Sequence, residues 1–240
     1  MIVEACVNSL ESALNAEQAG AQRIELCAEL TAGGITPSYG LIKSVREALQ
    51  IPVHVLIRPR SGDFSYSDKE FKTMLEDIKV CRALQADGIV SGILDENFTV
   101  DWERTQELIK HCGDCSFTFH RAFDWVKEPL KTHLRLQDMG VHTILTSGQA
   151  PTAEEGIDLL DSLNQQAGHC MIMPGAGIRH DNAHLFKLRG FKAIHLSASK
   201  VIKNSDSEPS LSMQSSRRMK ENEVLITDVE LLEKVIEIVN

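Results

Sequence analysis

Short apolar runs alternate with longer amphipathic segments along the whole chain. Ile2 to Val7 reads as a first strand, and a helix follows from near Ser9, a good cap residue. Seven more strands are expected at Arg23 to Cys27, Val53 to Arg58, Gly88 to Leu94, Ser116 to His120, Thr143 to Thr146, Cys170 to Met173 and Ala193 to Ser197. Between them the spacing predicts helices over Ser38 to Leu49, Ser67 to Leu84, Asp101 to Lys110, Glu128 to Met139 and Thr152 to Gln166. A short helix is expected from Asp181, and a last one over Thr227 to Val239.

Eight strands, each followed by a helical segment, predict a parallel sheet closed into a (β/α)8 TIM barrel of α/β class. An open doubly wound sheet would need fewer strands or a clear switch point. The first strand is not followed by a Gly-x-Gly-x-x-Gly fingerprint, so a dinucleotide fold is not supported. The 240 residues suit one barrel domain over 1–240. A polar, serine-rich stretch at 203–220 separates the eighth strand from the final helix. It reads as a solvated loop, or as a lid over the barrel mouth with a basic edge at Arg217, Arg218 and Lys220.

Net charge narrows the partners. A formal charge of -9 disfavours nucleic acid and anionic membranes, while allowing a local basic pocket. No segment approaches the ~20 apolar residues of a membrane span. The N-terminus lacks the pattern of an export signal. Six cysteines are too few for a disulfide scaffold, so reduced thiols and a cytoplasmic location are expected.

The strand ends carry the chemistry, because the working face of such a barrel lies at the C-terminal ends of its strands. Glu4 and Cys6 sit on the first strand, Glu25 and Cys27 on the second, Arg58 and Arg60 at the end of the third. His120 and Asp124 follow the fifth, Ser147 the sixth, Gly175 and Gly177 the seventh. His195, Ser197 and Ser199 alternate on the eighth. Each residue alone has a structural reading as a paired surface group or a hydrogen-bonded core residue. Their convergence points to a ligand, since burying so many charges is costly without one. The loop Met173 to Ile178 leaves backbone N–H groups for an anion, or is a tight turn that needs glycine.

Residues two apart on a strand share a face. Cys6 and Cys27 are expected at equivalent points on neighbouring strands, ~4.8 Å apart. Two metal–thiolate bonds of ~2.3 Å span roughly that gap. A two-sulfur site suits Cu(I); the competing reading is two small apolar fillers. Cys112 and Cys115 form a lone Cys-x-x-Cys at the opposite end of the barrel. His180 and His184 have metal-compatible helical spacing without an evident third ligand.

Several motifs resemble the CutC family, the proteins named for copper homeostasis: Arg23 to Gly40, Ile57-Arg58-Pro59-Arg60 with Gly62-Asp63-Phe64, Phe119 to Asp124, Leu145 to Gly148, and Met173-Pro174-Gly175. The resemblance covers nearly the whole chain. It implies a TIM barrel and a cytoplasmic homo-oligomer, often a dimer, linked to copper tolerance, trafficking or storage. Cys6 and Cys27 would be its Cu(I) ligands. Ser61 and Ala176 depart from the family pattern.

Two functions are therefore expected. One is Cu(I) binding through Cys6 and Cys27. The other is an enzyme, a lyase, isomerase or hydrolase, acting on a small anionic or phosphorylated metabolite. There Arg58, Arg60, Ser147, Gly175, Gly177, His195 and Ser197 would hold the anion, and His120 with Glu25 or Asp124 would move protons.

Overall fold

A computed structural model describes residues 1–207, 209–211, 213 and 219–240. Eight parallel strands follow one another around a barrel: β1 (Ile2–Val7), β2 (Arg23–Leu26), β3 (Val53–Leu56), β4 (Gly88–Ser91), β5 (Ser116–Phe119), β6 (Thr143–Thr146), β7 (Met171–Pro174) and β8 (Ala193–Leu196). From β1 to β7 each strand pairs with the next, and β8 pairs with β1. The seam between β7 and β8 is closed by one parallel bridge, Gly175 to His195. Outside lie α1 (Leu10–Gln18), α2 (Tyr39–Ala48), α3 (Asp68–Ala83), α4 (Trp102–Cys112), α5 (Pro129–Asp138), α6 (Ile157–Gln165) and α7 (Ala183–Leu188). No described helix is long and apolar enough to cross a membrane.

Local chemistry sets the boundaries. Ser9, Ser38 and Ser67 cap α1, α2 and α3 by accepting backbone N–H groups, and Glu70 completes a capping box on α3. β4 stops short of Leu94 because the chain turns at Gly92, where a Cβ would lie 2.7 Å from the His120 ring. α6 starts at Ile157 rather than Thr152, because Gly156 packs its backbone against Ser147 and Gly148. A Cβ on Gly156 would lie 2.0 Å from the Ser147 carbonyl oxygen.

The stretch after β8 differs from the expected loop. β9 (Ser199–Lys203) and β10 (Glu223–Thr227) form an antiparallel hairpin, and α8 (Val229–Val239) follows. Lys203 is thus strand, not loop. The hairpin is anchored on α1: the Thr227 N–H donates to Ser12 Oγ (3.1 Å) and Asn15 Nδ2 donates to the Thr227 carbonyl (2.9 Å). Of the anticipated basic edge, Arg217 and Arg218 lie outside the described residues.

The main apolar core lies between barrel and helices. The smaller apolar groups inside the barrel form two separate sets: Cys6, Cys27, Leu56 and Val90, and Leu145, Met173 and Ala193. Polar residues also fill the barrel interior. Glu4, fully buried, binds Arg23 Nε (2.5 Å) through Oε2 and His195 Nδ1 (2.8 Å) through Oε1. His54 lies 3.9 Å from the same carboxylate, and Arg23 also donates to Met173 Sδ (3.4 Å). Burial works to raise the Glu4 pKa; Arg23 first, then His195 and His54, outweigh it and hold it at about 2. Burial, the larger influence, pushes His54 down to about 4.

Gly88 makes room for His54: a Cβ there would meet the imidazole at 2.5 Å. Gly88→Ala should cost roughly 1–3 kcal/mol in urea unfolding; an unchanged midpoint would show that the ring can move aside. The Glu4 carboxylate stabilises the fold above its ordinary pKa of 4.5, and that contribution is lost as pH falls from 4.5 towards 2. His54, neutral in the fold, adds to the loss as pH falls from 6.5 towards 4. Glu4→Gln should lose about 3 kcal/mol at pH 7, and its deficit relative to wild type should shrink on acidification. A deficit independent of pH would refute the ionised pair.

Candidate functional site

One strand step nearer the C-terminal ends, Cys6 pairs in register with Glu25, not with Cys27. The expectation of equivalent points is corrected by one two-residue step. The two sulfurs still lie 3.8 Å apart, since residues of matching parity on tilted neighbouring strands converge inside the barrel. The Cys6 thiol also donates to Glu25 Oε1 at 3.4 Å. Cys27 is fully buried beneath Gly34, where a Cβ would stand 3.4 Å from the Cys27 Cβ and 2.7 Å from Leu56. The hydrogen bond with Cys27 and burial push the Cys6 thiol pKa well up, with the Glu25 charge adding to them. Burial raises Glu25 as well, against the pull of His195, and its Oε2 has no hydrogen-bond partner. Cys6, Glu25 and His195 each bring a ligand atom within 4.8 Å of the others.

Above them opens a cavity of about 570 Å³. Cys6, Glu25 and His195 line it together with Arg58, His120, Gly177 and Ser197. Arg58 is buried, and its guanidinium donates to the carbonyls of Ala32, Gly33, Gly34 and Gly62 while lying 4.9 Å from the Phe64 ring centre. It pairs with no carboxylate among the described residues, and its Nε has no partner. His120 Nδ1 accepts the Ala122 N–H (3.2 Å), which places the proton of the neutral ring on Nε2, an unpartnered atom. Burial, then the Arg58 charge, depress its pKa to about 3. An imidazole so far below its ordinary 6.5 is neutral at pH 7 and offers its Nε2–H as a hydrogen-bond donor.

Other anticipated residues are not brought into the cavity lining. Arg60 turns to Glu70 (2.5 Å) and Asp63 (3.0 Å) and secures the loop before α3. Asp124 accepts from Thr146 Oγ1, the Ser147 N–H and Arg121, so it organises the turn after β6. Ser147 Oγ donates to the Ala150 carbonyl (2.6 Å) within that turn. The Gly175 N–H is spent on the Thr146 carbonyl, and a Cβ there would stand 2.6 Å from Leu145; its place is the barrel seam. The alternation through Ser199 breaks at Ala198, whose φ of 42° lies in the left-handed region. Ser197 and Ser199 nonetheless meet, Oγ to Oγ, at 3.2 Å. Cys112 is buried and Cys115 donates to the Ala86 carbonyl (3.2 Å), far from the cavity lining.

Several lining residues lie outside the expected site set. Arg179 and His180 follow the β7 loop directly, and Arg121 follows His120. Their position just beyond strand ends is the sequence signal for them. Leu231 and Val235 of α8 also line the cavity, a contribution no strand-end reading could reach.

Comparisons agree with this architecture. The model of the CutC family matches residues 1–200. A family protein CutC from Enterobacter sp. (strain 638) is 47% identical over 199 residues, covering 83% of this chain and 81% of that protein. One from Edwardsiella ictaluri (strain 93-146) is 48% identical over 198 residues, covering 82% and 79%. Among solved structures, a CutC from Streptococcus agalactiae, named for copper homeostasis, is similar at a TM-score of 0.79 and 33% identity, over 82% of this chain and 98% of that one. A thiamine phosphate pyrophosphorylase from Pyrococcus furiosus is 15% identical with a TM-score of 0.62, over 99% and 95%, and shares the barrel alone. On the strength of the match over residues 1–200 and of the two relatives, this chain belongs to the CutC family.

Proposed function

We propose that this chain serves copper homeostasis by holding Cu(I) between Cys6 and Cys27. The observation that carries the reading is the 3.8 Å separation of the two sulfurs, one of them at the floor of an open cavity. Two metal–sulfur bonds of ~2.3 Å reach ~4.6 Å when collinear and less when bent, so the pair fits a bent ion with little movement. Thiolate is the ligand type that selects Cu(I). None of the six cysteines is in a disulfide, which supports a reducing, cytoplasmic setting.

Because the Cys6 pKa is raised, Cys6 is a thiol at neutral pH, and Cu(I) must displace its proton. Affinity should therefore fall about tenfold for each unit by which pH is lowered, per proton displaced. Anaerobic Cu(I) titration against a chelating indicator measures this. Cys6→Ser and Cys27→Ser should each weaken binding by more than the ~10–100-fold typical of losing an outer-shell partner. Undiminished affinity in the double variant excludes the site.

A different observation favours a second reading. A cavity of about 570 Å³ is far larger than a metal ion needs, and Arg58 brings to it a cation that pairs with no carboxylate among the described residues. On this reading the chain is an enzyme acting on a small anionic metabolite. Arg58 attracts the anion, the His120 Nε2–H and the Ser197 hydroxyl donate to it, and the Gly177 turn shapes its seat. Proton transfer falls to Glu25, whose raised pKa and free oxygen suit it better than His120. Small phosphates or carboxylates should raise the melting temperature by roughly 5–10 °C at a hundredfold excess over Kd, and Arg58→Lys should abolish the shift. If a broad anion panel leaves the melting temperature unmoved, the second reading is lost.

A further inference from the structure

We infer that Cys6, Glu25 and His195 form a second coordination set, for a divalent ion of the zinc class, that shares Cys6 with the thiol pair. The inference does not depend on the Cu(I) reading, since it uses neither Cys27 nor a preference for soft metals. Three observations carry it.

The first is spacing. Metal–ligand bonds of ~2.0–2.3 Å in a tetrahedral array put ligand atoms roughly 3.3–3.8 Å apart. Cys6 Sγ and Glu25 Oε1 are 3.4 Å apart, and all three ligand atoms lie within 4.8 Å, so small side-chain rotations complete the set. The second is orientation. His195 engages the fully buried Glu4 through Nδ1 at 2.8 Å, which leaves Nε2 as its ligand atom. A carboxylate behind the imidazole is the outer-shell arrangement that fixes the tautomer of metal-bound histidines. The third is an unmet demand. Glu25 is 5% exposed, lines the cavity, and has no partner for Oε2. That oxygen has a reason to stay unpaired if an ion completes its surroundings.

Charge also balances. A divalent ion meets one thiolate, one carboxylate and a neutral imidazole, while Glu4 behind them is matched by Arg23. Three protein ligands leave a fourth position on the cavity side, the pattern of a site that exchanges ligands rather than a closed structural one.

Co2+, a spectroscopic stand-in for zinc, tests this on the intact protein. Titration should produce a sulfur-to-cobalt charge-transfer band and tetrahedral d–d bands. X-ray absorption of the wild-type complex should count one sulfur per ion with nitrogen and oxygen neighbours. His195→Gln and Glu25→Gln should each weaken Co2+ binding at least tenfold. Cys27→Ser should retain the charge-transfer band while weakening Cu(I). Two sulfurs per ion, no charge-transfer band, or a smaller loss in either ligand variant overturns the inference. The sulfur count needs no variant to fold. A failed Cu(I) titration beside a one-sulfur cobalt complex would separate the two readings.

Discussion

The buried contact between Glu4 and Arg23 is the constraint on which the mouth of this barrel depends. An ion pair sealed inside a barrel adds little net stability, because desolvation offsets attraction. Its effect is positional. Both carboxylate oxygens of Glu4 are committed, one to Arg23 and one to His195. Neither Arg23 nor His195 can turn without stranding a charge in the interior. His195 in turn lies beside Glu25 and Cys6. Cys6, Glu25 and His195 thus rest on the buried Glu4–Arg23 pair.

Above that base the cavity is electrically divided. One side presents the Glu25 carboxylate, the Cys6 thiol and an imidazole held by a carboxylate. The other presents Arg58, fixed by loop carbonyls, and His120, kept neutral by burial and by Arg58 itself. A cation is served by the first side and an anion by the second. The metal and metabolite readings draw on different walls of one cavity, and a metal-bound anion would use both.

Much of this was legible in the chain. Alternation of apolar runs and amphipathic segments is enough to specify a parallel barrel, because every strand needs a helix to return the chain. Parity along β1 and β2 placed Glu4, Cys6, Glu25 and Cys27 on one face. What parity cannot supply is the partner. Arg58 and Arg60 both follow β3 two residues apart, yet Arg60 meets Glu70 and Asp63 in its own loop while the Arg58 guanidinium meets loop carbonyls and the Phe64 ring. Asp124 shows the same limit, since its donors come from the neighbouring β6 turn. The β9–β10 hairpin was hidden for a related reason: half-buried Ser199 and exposed Lys203 have their pairing set by residues twenty or more places away.

The helix after that hairpin has a consequence of its own. Leu231 and Val235 form part of the cavity wall, yet they lie beyond the 200 residues that match the family. Floor and wall are thus contributed by separately encoded stretches of chain. Selection can reshape the space above the thiols by altering one terminal helix, leaving the charged foundation of the barrel undisturbed. The space of the cavity and the chemistry of its floor are set by different parts of the chain.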